Sequence, residues 1–468
     1  MPQTRIEKDS LGTKEIPADV YYGVQTFRAV ENFPISGLRA HSRFIDAYVL
    51  IKKAAALANT KIGELPGAHG AAITRACDEI LSGKWRDQFP VDVFQMGAGT
   101  AFNMNVNEVV ANRANEILGQ PKGSYKPLHP NDHVNMGQST NDTFPSAVRI
   151  GALLILKESL YGPLENLEKS FAKKAKEFDP VLKSGRTHLQ DAVPIRLGQE
   201  FAAYAECLKK CRLAIIEREK GLLELGLGGS AVGTGLNTAS GYREDIIKEL
   251  CEFTSLPFYP ARDMREAMQS QRPVSELSSG LRNLALEVTR IINDLRLLSS
   301  GPTTGFGEIN LPATAPGSSI MPGKVNPSIL EMVNMVAFHV IGADTTVALA
   351  VQGGQLELNV MTPVAAFEIN FSITILGNAF KILSEKCIDG ITANTDRCRH
   401  YAENSMGLAT ALNAYIGYAK AADVCKEAAR SGKSIPQVIR EMKILSEAEI
   451  KNVMDPFKMT EPGIPGKH

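Results

Sequence analysis

The chain has no excess of either charge: 51 lysines and arginines face 51 aspartates and glutamates over 468 residues. A balanced surface field does not gather nucleic acid or an acidic membrane, so a charged ligand must be met by individually placed side chains. Long apolar runs are also missing, and no stretch approaches the ~20 uncharged, apolar residues of a membrane span. The opening MPQTRIEKDSLGTKEIPADV is charged and has no apolar h-region, so it does not read as a signal peptide. Aromatics are sparse at 6%. The seven cysteines, at 77, 207, 211, 251, 387, 398 and 425, are odd in number and irregular in spacing. Cys207 and Cys211 fall at helical i,i+4 spacing without a nearby histidine, against both a zinc module and a disulfide framework. Reduced thiols packed in helices, and a cytoplasmic setting, are expected. Strand-period alternation is scarce, and there is no 20–50-residue repeat.

What is present is helix. From Val274, apolar residues recur at Leu277, Leu281, Leu284, Val288, Ile291, Leu295 and Leu298, in steps of three and four. This is a long helical seam, with Pro273 near its start. A second stripe runs from Leu153 to Phe171, with a kink expected at Pro163. A third runs from Phe201 toward Leu225, and regions 327–351 and 364–387 are apolar on most sides. Helices apolar nearly all round belong inside a bundle, and their excess apolar surface suits contact between subunits. The expected fold is mainly α: a mixed, mostly helical segment 1–140, a central helical bundle 141–395, and a small helical domain 396–468.

The stretch Leu225–Gly235, LGLGGSAVGTG, superficially fits a dinucleotide glycine fingerprint. A helical pattern precedes it where a strand is required, so a glycine-dependent connection between helices is the reading. No P-loop is present.

Four clusters carry chemistry. Gly317-Ser318-Ser319-Ile320-Met321-Pro322-Gly323-Lys324-Val325-Asn326-Pro327 is a loop bounded by glycines that offers two hydroxyls, an ammonium and an amide. Gly97-Ala98-Gly99-Thr100 precedes Asn103, Asn105, Asn107 and Glu108. Gln138-Ser139-Thr140-Asn141-Asp142 is a run of hydroxyl and amide groups, and Gly185-Arg186-Thr187-His188 adds a hydroxyl and an imidazole. Each lies near the start of a helical stretch, where free N–H groups bind carboxylates. Together they fit a small dicarboxylate held without metal. Singly, each has a plainer reading: helix caps for Ser139, Thr140 and Thr187, a turn residue for Ser318, a hydrogen-bonded core histidine for His188.

In this order and spacing the four segments resemble the aspartase/class II fumarase family, whose superfamily also holds argininosuccinate and adenylosuccinate lyases. The resemblance runs from Arg5-Ile6-Glu7 to Pro462-Gly463. Tyr21–Thr26, Glu31-Asn32-Phe33, His133, Gln190–Pro194 and Leu358–Met361 look aspartase-like, as does Thr140 where fumarases usually show a second serine. Thr143-Phe144-Pro145 is closer to fumarases. Ala101, Thr303-Thr304 and Thr362 depart from the pattern, standing where Ser, an Arg-containing pair and Glu are usual.

The resemblance implies a three-domain lyase fold assembling as a homotetramer with a multi-helix core and with sites shared between subunits. It implies elimination of ammonia from L-aspartate to give fumarate, with no cofactor and no metal. Fumarate hydration, another amine lyase and a non-catalytic crystallin-like relative are the alternatives. By resemblance, Ser318 is the general base. Thr100, Ser139, Thr140 and Ser319 hold the carboxylate that takes up the developing charge. Thr187, Lys324 and Asn326 hold the other carboxylate, and Thr100, Asn141 and His188 contact the leaving amine. Family members pair this histidine with a glutamate, and Glu331 stands at the matching place.

Overall fold

The seam that begins near Val274 is one helix, Arg272–Leu298, in the computed structural model, which describes residues 3–467. Its seam residues Val274, Leu277, Leu281, Leu284, Val288, Ile291, Leu295 and Leu298 are each at most 5% exposed. The other apolar regions are long helices as expected: Leu197–Glu219, Ser328–Gln352 and Thr362–Lys386. Among the described residues the β structure is confined to four two-stranded sheets. The expected mainly-α class holds.

Contacts divide the chain into two compact units, and the division falls within the long helices. The first unit comprises Met1–Gly162, Leu213–Ala285 and Phe338–Gly377. It is built on helices Ser42–Lys61, Gly67–Leu81, Thr100–Ile117, Thr140–Ile155 and Tyr242–Thr254. Phe44, Tyr48, Phe102 and Phe144 fill its centre with tilted and edge-on ring contacts; Phe44 and Phe144 are 5.2 Å apart. Such packing places the first turns of Thr100–Ile117 and Thr140–Ile155 side by side.

The second unit comprises Pro163–Arg212, Leu286–Ala337 and Asn378–His468. It carries an antiparallel hairpin, Leu182–Thr187 with Gln190–Arg196. Its short C-terminal helices close over Leu408, Leu412, Val424, Ile435, Ile439 and Ile450.

At Pro163 the expected simple kink takes another form. A π-helical turn, Leu156–Leu160, precedes it. Proline has no N–H for the carbonyl four residues back, that of Ser159. That carbonyl lies where a Cβ on Gly377 would come within 1.9 Å, so only glycine lets the chain pass.

Helix Ser328–Gln352, at 25 residues, is long and apolar enough by composition to cross a membrane, which the sequence reading did not anticipate. Its buried stripe and its polar contacts belong to a protein core. Asp344 accepts from Ser278 Oγ at 2.7 Å and from Arg282 at 3.0 Å.

Candidate active site

In the first unit the candidate residues sit at two adjoining helix starts. Gly97–Gly99 forms a tight turn in which Ala98 (φ 60°) and Gly99 (φ 82°) are left-handed, and helix Thr100–Ile117 begins directly after it. The next helix start is fixed by a capping box: Ser139 Oγ accepts from Asn141 N–H at 3.2 Å, and Ser139 N–H donates to Asp142 at 2.9 Å. The capping role read for Ser139 is therefore real.

Asp142 is buried, and its other oxygen accepts the N–H groups of Gly228 and Ser230, both at 3.1 Å. Burial pushes its carboxyl up to about 6. Asn141 Nδ2 donates to Ala231 carbonyl at 2.8 Å. The glycine-rich stretch is thus a connection between helices, laid against the Ser139–Asp142 turn. Gly228, Gly233 and Gly235 all take positive φ. Thr140 is buried, and its Oγ1 accepts from Asn103 Nδ2 at 3.0 Å. Asn103 in turn accepts from Lys52 Nζ at 2.8 Å.

In the second unit the loop 317–327 closes on itself. Gly317 N–H donates to Lys324 carbonyl at 2.8 Å, and Asn326 Nδ2 donates to Gly317 carbonyl. A Cβ on Gly317 would stand 2.5 Å from that Lys324 oxygen, so the closure requires glycine. Inside the loop Ser318 Oγ accepts two backbone N–H groups, Met321 at 2.8 Å and Ile320 at 3.2 Å. Two donors aimed at one hydroxyl oxygen favour negative charge on it. Lys324, Asn326 and Glu331 line a cleft of about 760 Å³ with Asn293, Arg296 and Ser300. Ser319 and Lys324 are exposed.

Thr187 and His188 are exposed at the end of the hairpin. His188 (φ 57°) and Leu189 (φ 58°) make its two-residue turn, both left-handed although neither is glycine. A two-residue hairpin turn of this form requires positive φ at both positions, and residues with a Cβ there carry backbone strain. Among the described residues no hydrogen bond or ion pair joins His188 to Glu331 within the chain.

Two residues escaped sequence reasoning. Arg296 lines the same cleft as Lys324. Lys52 is 0% exposed and lies on the apolar stripe of its helix, after Phe44 and Tyr48 in steps of four. A lysine on an apolar stripe was the available signal. Of the departures, Ala101 and Thr362 are buried, whereas Thr303 and Thr304 are exposed.

The lyase family model matches residues 12–342, and the fumarase C C-terminus model matches residues 408–461. Long apolar helices, a glycine-hinged serine loop and clustered hydroxyl and amide groups agree with those matches, and the chain belongs to this lyase family. It is similar to the aspartate ammonia-lyase of Bacillus subtilis (strain 168), 50% identical over 463 residues covering 99% of this chain and 97% of that one. It is equally similar to that of Pseudomonas aeruginosa, 50% identical over 98% of this chain and 97% of the relative. Among solved structures it resembles the class II fumarase of Schistosoma mansoni, with TM-score 0.96, 34% identity, and coverage of 98% and 100%. It also resembles a fumarate lyase:delta crystallin from Brucella melitensis, with TM-score 0.95, 48% identity, and coverage of 98% and 100%.

Proposed function

We propose that the chain catalyses reversible elimination of ammonia from L-aspartate to give fumarate. The observation that carries the mechanism is the pair of N–H groups, from Ile320 and Met321, donated to Ser318 Oγ. A serine hydroxyl is a poor base until its alkoxide is stabilised, and these donors lower that cost.

Ser318 alkoxide removes the Cβ proton. The electron pair moves into the adjacent carboxylate, which becomes a doubly negative aci-carboxylate held by Thr100, Ser139, Thr140 and Ser319. The Cα–N bond then breaks, the substrate ammonium leaves as ammonia, and the proton on Ser318 returns to solvent. Thr187, Lys324 and Asn326 hold the second carboxylate, and Thr100, Asn141 and His188 face the departing amine. Glu331 fixes the imidazole tautomer.

The candidate groups lie in different parts of the chain, and among the described residues no hydrogen bond or ion pair joins His188 to Glu331 within it. A homotetramer with sites shared between subunits accounts for both facts. Seven free cysteines support a reducing, cytoplasmic setting.

The test is to supply L-aspartate and then L-malate and follow fumarate absorbance. Fumarate from L-aspartate alone is expected. Fumarate from L-malate alone makes the chain a hydratase, and none from either makes it another amine lyase or a non-catalytic relative.

A further inference from the structure

Lys52 is buried in the middle of helix Ser42–Lys61, and among the described residues no carboxylate is in hydrogen-bond contact with it. An ammonium has three donors and no acceptor. Three amide oxygens take those donors: Asn103 Oδ1 at 2.8 Å, Gln138 Oε1 at 2.9 Å and Asn135 Oδ1 at 3.0 Å. A buried ion persists where such dipoles replace water.

The arrangement also fixes the amides. Shape alone does not separate an amide's oxygen from its nitrogen, but a group that only donates does. The oxygen of Asn103 must face Lys52, so its NH₂ faces away. That NH₂ donates to Thr140 Oγ1 at 3.0 Å and to Asn135 Oδ1 at 3.3 Å. The Thr140 hydroxyl therefore receives a hydrogen bond on a lone pair, and its own proton has no acceptor among the described residues. With Asn103 reversed, the hydroxyl would turn its proton inward and present lone pairs outward, which repel a carboxylate.

We propose that Lys52, acting through Asn103, is a positioning residue that sets the Thr140 hydroxyl as a hydrogen-bond donor to the substrate carboxylate. The inference rests on the reading of Thr140 as a carboxylate ligand and deepens it. Lys52 touches no substrate; it selects which way one hydroxyl points.

The test is Asn103→Asp. One oxygen still accepts from Lys52, now as a charge partner, so the fold is retained. The second oxygen can only accept, which draws the Thr140 proton inward. Turnover should fall about 10²-fold, the scale of losing one preorganised donor. Binding of succinate, an unreactive dicarboxylate, should weaken by roughly tenfold or more in calorimetry, with the melting temperature at or above that of the unaltered protein. In a Thr140→Val background the same change should alter both readouts by less than about threefold, since no hydroxyl remains to turn. Lys52→Met, apolar and of similar length, frees the Asn103 amide to flip and should cost roughly tenfold, again only when the Thr140 hydroxyl is present.

Asn103→Asp with turnover and succinate affinity within about threefold of the unaltered protein overturns the proposal, as does an equal loss with and without the Thr140 hydroxyl. If the unaltered protein releases no fumarate from L-aspartate, the functional reading falls, while succinate binding by the same variants still decides this one.

Discussion

Arg186 donates from one guanidinium nitrogen to both carboxylate oxygens of Glu308, at 3.0 and 2.9 Å, and so moors the hairpin that ends in His188. Glu308 is 0% exposed, with Lys183 a second cation at 3.5 Å, and the guanidinium lies over the Phe306 ring at 4.3 Å. In Arg186→Ala the buried carboxylate keeps only the more distant lysine. Removing one partner of a buried pair typically costs about 3–5 kcal/mol. Chemical denaturation should show a loss near the lower end of that range, because Lys183 remains. Turnover of L-aspartate should fall by roughly tenfold or more, since the turn that carries His188 loses its mooring. Unchanged stability would show that the pair does not anchor the hairpin.

Ser318→Ala removes the oxygen on which the Ile320 and Met321 N–H groups converge. Turnover should fall at least about 10²-fold while substrate binding stays close to normal. Steady-state kinetics together with succinate calorimetry separates the two effects. Near-normal turnover takes Ser318 out of the role of base.

Much of this was legible in the chain itself, for a physical reason. Periodicity reports burial, so the seam from Val274 to Leu298 announced its helix, and the glycines of 225–235 announced a connection between helices. The four clusters stood out as gatherings of hydroxyl, amide and ammonium groups, but each has a plainer reading alone, and their roles in one site came from the resemblance of the whole chain to a family. Lys52 was not read, because its partners Asn103, Asn135 and Gln138 come from later segments, and only folding shows that three amides converge on one ammonium. The π-helical turn before Pro163 was hidden for a similar reason: the close approach of Gly377, more than two hundred positions away, fixes where the Ser159 carbonyl goes.

Two glycines with similar backbones should respond differently to alanine. Gly99 has φ +82°, and a Cβ there would come within 2.0 Å of the buried Phe144 ring. Gly323 has φ +79° and nothing within 4 Å. The left-handed conformation alone costs roughly 1–2 kcal/mol for a residue with a Cβ, which bounds Gly323→Ala. Gly99→Ala adds a clash with a packed core, worth about 1–3 kcal/mol more. Urea denaturation of the two variants should rank them in that order, and equal losses would mean that the Phe144 ring yields freely.

Sites assembled from several chains can be tested by mixing. Thr140→Val and Ser318→Ala each impair a different contribution to the proposed site. If contributions come from different subunits, co-refolding the two variants creates some sites with neither lesion. Activity of the mixture should then exceed that of either parent by roughly tenfold, and sedimentation should show an oligomer. A mixture no more active than the average of its parents, or an active monomer, would show that each site is built within one chain.

Between about pH 7 and 10 the groups facing Lys52 hold their charge states, which isolates its own titration. Asp142, from the neighbouring helix, is pushed up to about 6 by burial and is ionised above that. The Cys77 thiol is pushed up to about 12 by burial, and the Tyr48 phenol is also raised by burial, so both stay neutral. Burial pulls Lys52 down to about 7. In the unfolded chain its proton is held to about 10.4. Across that window the unfolded state therefore binds more protons than the native one, and the free energy of unfolding rises with pH. This relief is absent below the folded value and complete above the unfolded one. Lys52→Met has no such proton, so the stability of the unaltered protein relative to Lys52→Met should increase steadily from about pH 7 to 10 in urea titrations. Turnover should move the opposite way, because a neutral amine has two N–H groups and a lone pair, and that lone pair cannot face an amide oxygen favourably. A relative stability that is flat or falling over this range would mean that the three amide oxygens keep Lys52 charged up to about pH 10, and the predicted fall in turnover would then be absent.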